Sequence, residues 1–338
     1  MTKVTIKEVA RKANVSTSTV SRVLNNNYPV SEEVRDEVLR CMKELNYQPN
    51  GIARSLKNSK TQMIGFVVAD IANPYFMQIA KAMESVISNE NHSLVFCSSD
   101  GIPQKERKLL ELLNEKRVEA MVIASSDPDG LYIKQLVDQG MPVVLIDRKL
   151  KGVDTDVVVE DNFNAAYQLT EYLIKSGHRK IAIINVALSI SVGLERFDGF
   201  KEAMKHNDLP VEERYVFKGG FTRMEAYHAA KRLIVENQNH LPTAIFCANN
   251  IMAEGAVIAV REFGMKIPDD ISIVSFGTVD LLELIEPKLT IASQNPYAIG
   301  RKAGQIILDR VNHDGNARDF KEYVITSDII IRDSVQTL

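Results

Sequence analysis

From residue 62 onward, apolar runs of strand length alternate with helical patterns, and the alternation happens twice over. The first series reads MIGFVVAD (63–70), SLVFCSSD (93–100), AMVIASSD (120–127) and PVVLID (142–147). The second reads KIAIINV (180–186), YVFKGGF (215–221), TAIFCANN (243–250) and ISIVSFG (271–277). Near-continuous Val/Ile runs separated by helices describe parallel strands buried on both faces. Two such series predict two α/β lobes, each a doubly wound parallel sheet. Later strand-like segments, LTIASQN (289–295) and EYVITSDIIIRDS (322–334), predict that the chain crosses back between lobes and builds a hinge. The expected division is a first lobe of about 62–161 and 290–322, and a second of about 162–289 and 323–338.

The carboxyl ends of these runs carry polar residues: Asp70, Ser98, Ser99, Asp100, Ser125, Ser126, Asp147, Arg148, Asn185, Asn249 and Asn250. Open parallel sheets bind ligands at that edge. Two such edges facing each other would make a cleft suited to a hydroxyl-rich small molecule, with Tyr75, Phe76 and Phe221 available to stack on a ring. The plainer alternative is that polar residues end strands because loops are solvated.

The first sixty residues differ in charge from the rest. They hold eleven Lys or Arg against six Asp or Glu, a net +5, which leaves −8 for the remainder of a chain whose total is −3. A basic head on an acidic body suits a head that meets phosphate. Thr5 is placed to cap a helix with Ile6, Val9, Ala10 and Ala13 on one stripe. Asn14-Val15 supplies a turn, and Ser16 caps a second helix whose Val20, Val23 and Leu24 face inward. Its outward side is Thr17, Ser18, Ser21, Arg22 and Asn25, with Thr19 beside them. Short hydroxyl side chains plus one arginine suit a helix in the major groove, where Arg grips a guanine edge through two hydrogen bonds. A third helix from Ser31 to Leu45 buries Val34, Val38 and Met42. The whole of 1–46 is therefore predicted to be a helix-turn-helix; a three-helix bundle with an incidentally polar face is the alternative.

Residues 47–61 form a linker with one short helical stretch, capped by Asn50 and running to about Lys57. A helix that short orders only against a partner. Ile52, Ala53 and Leu56 could pair with a twin, and Leu56 could wedge into the minor groove between Arg54 and Lys57 on phosphates. A plain flexible linker fits these residues equally well.

Other function classes find little support. No apolar run approaches the ~20 residues of a membrane span, and the start, MTKVTIKEVARKA, lacks the apolar stretch of a secretory signal, so a cytoplasmic location is expected. Cys41, Cys97 and Cys247 lack metal-type spacing and read as small core residues. GxxxxGK(S/T), GxGxxG, HExxH and GxSxG are all missing from the sequence. The six histidines are scattered; His178, after Gly177, reads as a helix cap. No catalysis, metal or cofactor is expected.

These residues resemble the lactose-repressor/galactose-repressor (LacI/GalR) family of bacterial transcriptional regulators over essentially the full length. The head carries VTIKEVARKANVSTSTVSRVLNN and VSEEVRDEVLRCMKELNYQPNGIARSL. The body carries NPYF (73–76), Asp147-Arg148, VVVEDN (157–162), GHRKIA (177–182), ERFDGF (195–200), AIFCANN (244–250), IPDDISIVSFG (267–277) and LTIASQNPYAIGRKA (289–303). The resemblance implies an all-α helix-turn-helix head on a periplasmic-binding-protein-like body. It also implies a dimer on a near-palindromic operator, with no membrane partner, and allosteric control by a carbohydrate-type effector. Thr17, Ser18 and Arg22 match base-reading positions, and Leu56 matches the leucine inserted at the operator centre. Phe76, Asp147, Arg196, Phe221 and Asn249 match positions lining the effector cleft; Tyr75, Asp100, Ser125, Arg148, Gly277 and Gln294 are expected beside them. Family tetramers depend on an added C-terminal leucine-heptad segment, and this sequence ends soon after IIIRDS. Two family acids are replaced, by Gly277 and by Asn250, while Arg148, Arg196 and Arg223 are present. That balance suggests a sugar acid or sugar phosphate, unless the arginines are paired within the wall. A protein corepressor, or a sugar-binding receptor of transport type, are the alternative readings of the same architecture.

Overall fold

The computed structural model describes residues 4–25, 29–47, 61–278, 286–312 and 319–338. The chain divides into two compact units, residues 1–61 and 62–338. In the first, α1 (Ile6–Lys12), α2 (Thr17–Asn25) and α3 (Glu32–Glu44) enclose Val9, Ala10, Ala13, Val20, Val23, Val38 and Cys41. The Glu8 carboxylate accepts from the Thr5 N–H at 2.7 Å and its hydroxyl at 3.0 Å, which fixes the start of α1. Asn14 takes a left-handed φ of 52° between α1 and α2, a conformation asparagine tolerates. The Thr19 N–H donates to Ser16 Oγ at 3.1 Å and opens α2. A Lys12–Glu44 ion pair at 2.8 Å joins α1 to α3.

The second unit runs β1 (Met63–Val68), α4 (Pro74–Ile87), β2 (Ser93–Ser98), α5 (Pro103–Glu115), β3 (Ala120–Ile123), α6 (Leu131–Asp138), β4 (Val143–Ile146) and β5 (Asp156–Glu160). It crosses to α7 (Asn162–Lys175), β6 (Ile181–Asn185), α8 (Ser191–His206), β7 (Val216–Lys218), α9 (Arg223–Glu236), β8 (Ala244–Cys247), α10 (Asn250–Glu262), β9 (Ser272–Phe276) and β10 (Thr290–Ser293). It returns through α11 (Pro296–Asn312) and β11 (Glu322–Ile325), then crosses a third time to β12 (Asp328–Ile330). The sheets are ordered β11-β5-β4-β3-β1-β2 and β12-β10-β9-β8-β6-β7. Every pairing is parallel except β10 with β12. In both sheets the winding reverses at the first strand of the lobe, between β1 and β3 and between β6 and β8. The loops leaving β1, β3, β6 and β8 therefore splay apart and open a crevice at the strand ends.

Two expectations are corrected. β5 is absent from the eight central strands read from the sequence, because no helix separates it from β4 and its apolar run is short. The crossings also shift. β10 pairs with β9 and so belongs to the second sheet, whereas β11 pairs with β5 and belongs to the first. The second and third crossings thus lie at 294–295 and 326–327, where pairing partners, invisible to local pattern, decide the sheet. His178 caps α7 as expected, its N–H donating to the Leu173 carbonyl at 3.2 Å after the left-handed Gly177, while its buried ring places Nδ1 2.9 Å from Thr243 Oγ1.

The lobe cores depend on close helix contacts. A Cβ at Gly300 of α11 would run into the Ile79 carbonyl of α4, and one at Gly199 of α8 into the Phe163 carbonyl of α7. Backbone cannot give way as a side-chain tip can. Gly300→Ala is therefore expected to cost about 2–3 kcal/mol in chemical denaturation; an unchanged midpoint would refute this account of the α4–α11 contact.

Candidate effector cleft and DNA-reading helix

On α2, the side chains of Thr17, Ser18 and Arg22 are exposed and Ser21 is half-buried. The hydroxyls of Ser16 and Thr19 lie 2.9 Å apart. They serve the helix start first, so base contact falls more naturally to Thr17, Ser18 and Arg22. The Asn25 side chain, and Asn50, Ala53, Arg54, Leu56 and Lys57 entirely, lie outside the described residues.

In the second unit a cleft of about 300 Å³ opens at the strand ends of both lobes. Tyr75, Phe76, Asp100, Asp147, Arg148, Arg196, Phe221, Asn249 and Gln294 line it, as do Asp70, Asn73, Val192, Thr222 and Asn250. Two of the expected residues stand behind this lining. Ser125 is buried; its hydroxyl donates to Glu106 Oε1 at 2.6 Å, and its carbonyl accepts from Arg148 Nη1 at 2.6 Å. Gly277 has φ 89°, and a Cβ there would come within 2.5 Å of Gln294 Oε1. The neutral amide of Gln294 thus occupies the space a side chain at 277 would take.

The floor is charged. Asp147 sits in a left-handed turn with φ 64°, and its carboxylate lies 3.4 Å from Arg148 Nε. Arg148 also faces the Phe221 ring at 5.6 Å. Glu106, buried behind Ser125, has its carboxyl pushed up by burial. Arg196 is buried and stacks over Phe276 at 3.7 Å. Its Nε donates to Asn162 Oδ1 at 2.9 Å and its Nη1 to the Ala248 carbonyl at 2.6 Å. Burial lowers its pKa, while Asp147, Tyr75 and Glu160 oppose that. Among the described residues no carboxylate approaches it to ion-pair distance. Arg223, expected at the cleft, is instead paired with Glu254 outside the lining.

Among the described residues two buried polar atoms here lack a hydrogen bond of good geometry: Tyr75 Oη, which has Asp147 as a neighbour, and Arg148 Nε, which lies 3.4 Å from the Asp147 carboxylate. Burial and the neighbouring Asp147 push the Tyr75 phenol well up, so it keeps its proton and can donate. An unpaired buried donor carries a desolvation cost of about 1–3 kcal/mol, which a bound acceptor would relieve.

The lobes also touch directly. Asn250 Nδ2 donates to Asn73 Oδ1 at 3.1 Å, and the Lys149 N–H donates to Ser191 Oγ at 2.9 Å. Lys149 Nζ lies 3.1 Å from Glu195 and 2.7 Å from Glu322. Sequence reading missed Asn73, Val192 and Thr222 because each sits at or before a helix start, in a role its own segment already explains. Asn73, for instance, also caps α4 through the Tyr75 N–H.

Residues 61–331 match the model for periplasmic binding proteins and the sugar binding domain of the LacI family, and residues 5–50 match that for bacterial regulatory proteins of the lacI family. The chain belongs to the LacI family, as a transcriptional repressor. Among LacI-family relatives, the HTH-type transcriptional repressor PurR of Haemophilus influenzae (strain PittEE) is 35% identical over 340 residues, covering 99% of each chain. A LacI-family regulator from Enterococcus faecium, solved with bound ribose, is 27% identical; the match covers 82% of this chain and 99% of that one, with a TM-score of 0.73. The Lac repressor dimer bound to operator and the anti-inducer ONPF is 24% identical with a TM-score of 0.86, covering 99% and 100%, and shows the same fold. Among the described residues no helix is long and apolar enough to cross a membrane.

Proposed function

We propose that this LacI-family repressor works as a homodimer, reading a near-palindromic operator through α2, and that a small hydroxyl-rich acid in the interlobe cleft switches its DNA affinity. The observation that carries the effector reading is Arg196: a buried guanidinium at the cleft floor whose hydrogen bonds, among the described residues, go to neutral acceptors. Guanidinium favours carboxylate or phosphate. Arg148 contributes less charge, since Asp147 already faces it. Asp70, Asp100 and the amides of Asn249 and Gln294 supply acceptors and donors for hydroxyls. The cleft volume suits one monosaccharide-sized molecule, the size of the ribose bound by the Enterococcus faecium relative.

The effector selects one orientation of the two lobes, and in a dimer that orientation sets the separation at which the two heads meet DNA. Edge strand β2 supports dimerisation: it lies at the open edge of the first sheet and leaves the large apolar side chain of Phe96 exposed. Phe96→Glu is expected to shift the sedimentation equilibrium toward monomer; an unchanged dimer would move the interface elsewhere.

The test of the effector class pairs D-gluconate and D-glucuronate with D-glucose, and ribose with ribose 5-phosphate, in thermal-shift and calorimetric titrations. The anionic member is expected to raise the melting temperature with concentration and bind more tightly. Tighter binding of the neutral member would overturn the acid reading. Silence across the panel would point to a purine, to another effector outside it or to a protein corepressor, and the cleft reading would lose its main support.

A further inference from the structure

The three crossings between lobes converge on a single side chain. Glu160 ends β5 at the first crossing and is 2% exposed. Its Oε1 accepts the Asn295 N–H of the second crossing at 3.0 Å, and its Oε2 accepts the Ser327 hydroxyl of the third at 3.0 Å. Next to it, the Asp161 N–H donates to the Ile325 carbonyl at 2.9 Å, again joining the first crossing to the third. Asn162, one residue further, accepts from Arg196 of the cleft floor and donates to Glu195 at 3.0 Å. The hinge and the cleft are thus joined through side chains two residues apart.

We propose that Glu160 is a positioning residue for the allosteric step: it staples the three crossings in one lobe orientation, and the charge on its carboxyl sets how firmly that orientation is held. The Glu160 carboxyl is bonded to the other two crossings, so it acts on lobe orientation through the hinge. This goes beyond the effector reading and needs no ligand.

The charged and titratable groups facing Glu160 from the packed elements are Arg196 of α8, Asp147 after β4 and Tyr75 of α4. Asp161 is turned away, its carboxylate accepting from the N–H and Nδ2 of Asn164 at the start of α7. Glu195 and Glu322 are both engaged by Lys149. Arg196 and the two hydrogen-bond donors favour the ionised carboxyl, whereas Asp147 and above all burial favour the neutral one. Burial prevails and raises the pKa from 4.5 to about 7. A conformer that exposes Glu160 to water would titrate nearer the ordinary value. The buried, stapled hinge is therefore favoured at low pH and loses that advantage as pH rises through about 7.

The experiment measures interlobe distances by pulsed electron spin resonance on the full-length protein. Nitroxides are placed on cysteines replacing the exposed Lys108 of α5 and Lys205 of α8. The background carries Cys97→Ser, since Cys97 is the one native cysteine that is not buried. Labelled chain is diluted with unlabelled chain so that intrachain distances dominate. Between pH 6 and pH 8.5 the distribution is expected to broaden and shift, while Glu160→Gln, which keeps the length and stays neutral, holds the low-pH distribution throughout. Glu160→Asp, too short to reach both other crossings, is expected to be broad at both pH values. Melting curves establish that each variant is folded. A pH-independent distribution in the parent protein, or the same pH shift in Glu160→Gln, would overturn the proposal. Neither result bears on which molecule fills the cleft.

Discussion

Arg22→Ala is expected to remove most of the difference in affinity between operator and random DNA. The exposed Arg22 side chain on α2 follows Ser18 by one helical turn and lies on the same face. A two-pronged contact from arginine to guanine discriminates by about 1–3 kcal/mol. A dimer makes it twice, so the specificity ratio should fall by roughly 30- to 10⁴-fold. Binding to random DNA loses only a phosphate-type electrostatic contribution, which appears as a slightly shallower dependence on salt. Fluorescence anisotropy at one fixed salt concentration, with a duplex selected by the parent protein and a scrambled one, measures both. Equal losses on the two duplexes would mean that Arg22 meets phosphate rather than a base edge.

The other large effect is expected at Arg196. Arg196→Leu removes a buried cleft guanidinium that, among the described residues, has no carboxylate at ion-pair distance, and it leaves Asn162 Oδ1 and the Ala248 carbonyl without their donor. Truncating one side of a buried, hydrogen-bonded charge pair costs about 2–5 kcal/mol. Affinity for an acidic sugar should therefore fall by at least roughly 30-fold. Arg196→Lys should not restore it, because an ammonium cannot serve two acceptors in the plane of a guanidinium and also stack on Phe276. Operator binding without effector should survive, giving a repressor that no longer responds. Calorimetry with D-gluconate alongside anisotropy on the operator separates the two readouts. Full effector affinity in Arg196→Lys would sink the role given to the planar fork.

These experiments draw on different parts of the molecule. The head is tested by Arg22, the cleft by Arg196 and the hinge by Glu160. Residues of the cleft and the hinge are physically linked through Asn162, whose side chain bonds Arg196 and Glu195 and follows Glu160 by two positions. A double substitution of Arg196 and Glu160 should therefore be non-additive in effector binding, as expected for neighbours in one network.

Much was determined by the sequence alone. The period of the apolar residues set two parallel sheets and three head helices, because burial on one face or two writes itself into local pattern. Ser16, Asn14 and Thr5 gave the helix limits, since capping and left-handed turns depend on a few adjacent residues. The polar strand ends placed the cleft, because parallel strands in a doubly wound sheet all finish on the same edge. Tertiary structure decided what depends on distant partners. Whether Thr290 or Glu322 belonged to one lobe or the other rested on which strand lay beside it. Ser125 and Gly277 moved behind the lining because Arg148 and Gln294 lie in front of them. Arg223 found Glu254, which is far from it in sequence, while among the described residues Arg196 found neutral acceptors. Glu160 carried no signal in its own segment. Its role exists only because residues 295 and 327, each more than a hundred positions away, return to meet it. Short-range sterics and burial are encoded locally, whereas electrostatic pairing and hinge geometry arise when the folded chain brings remote residues within hydrogen-bond reach.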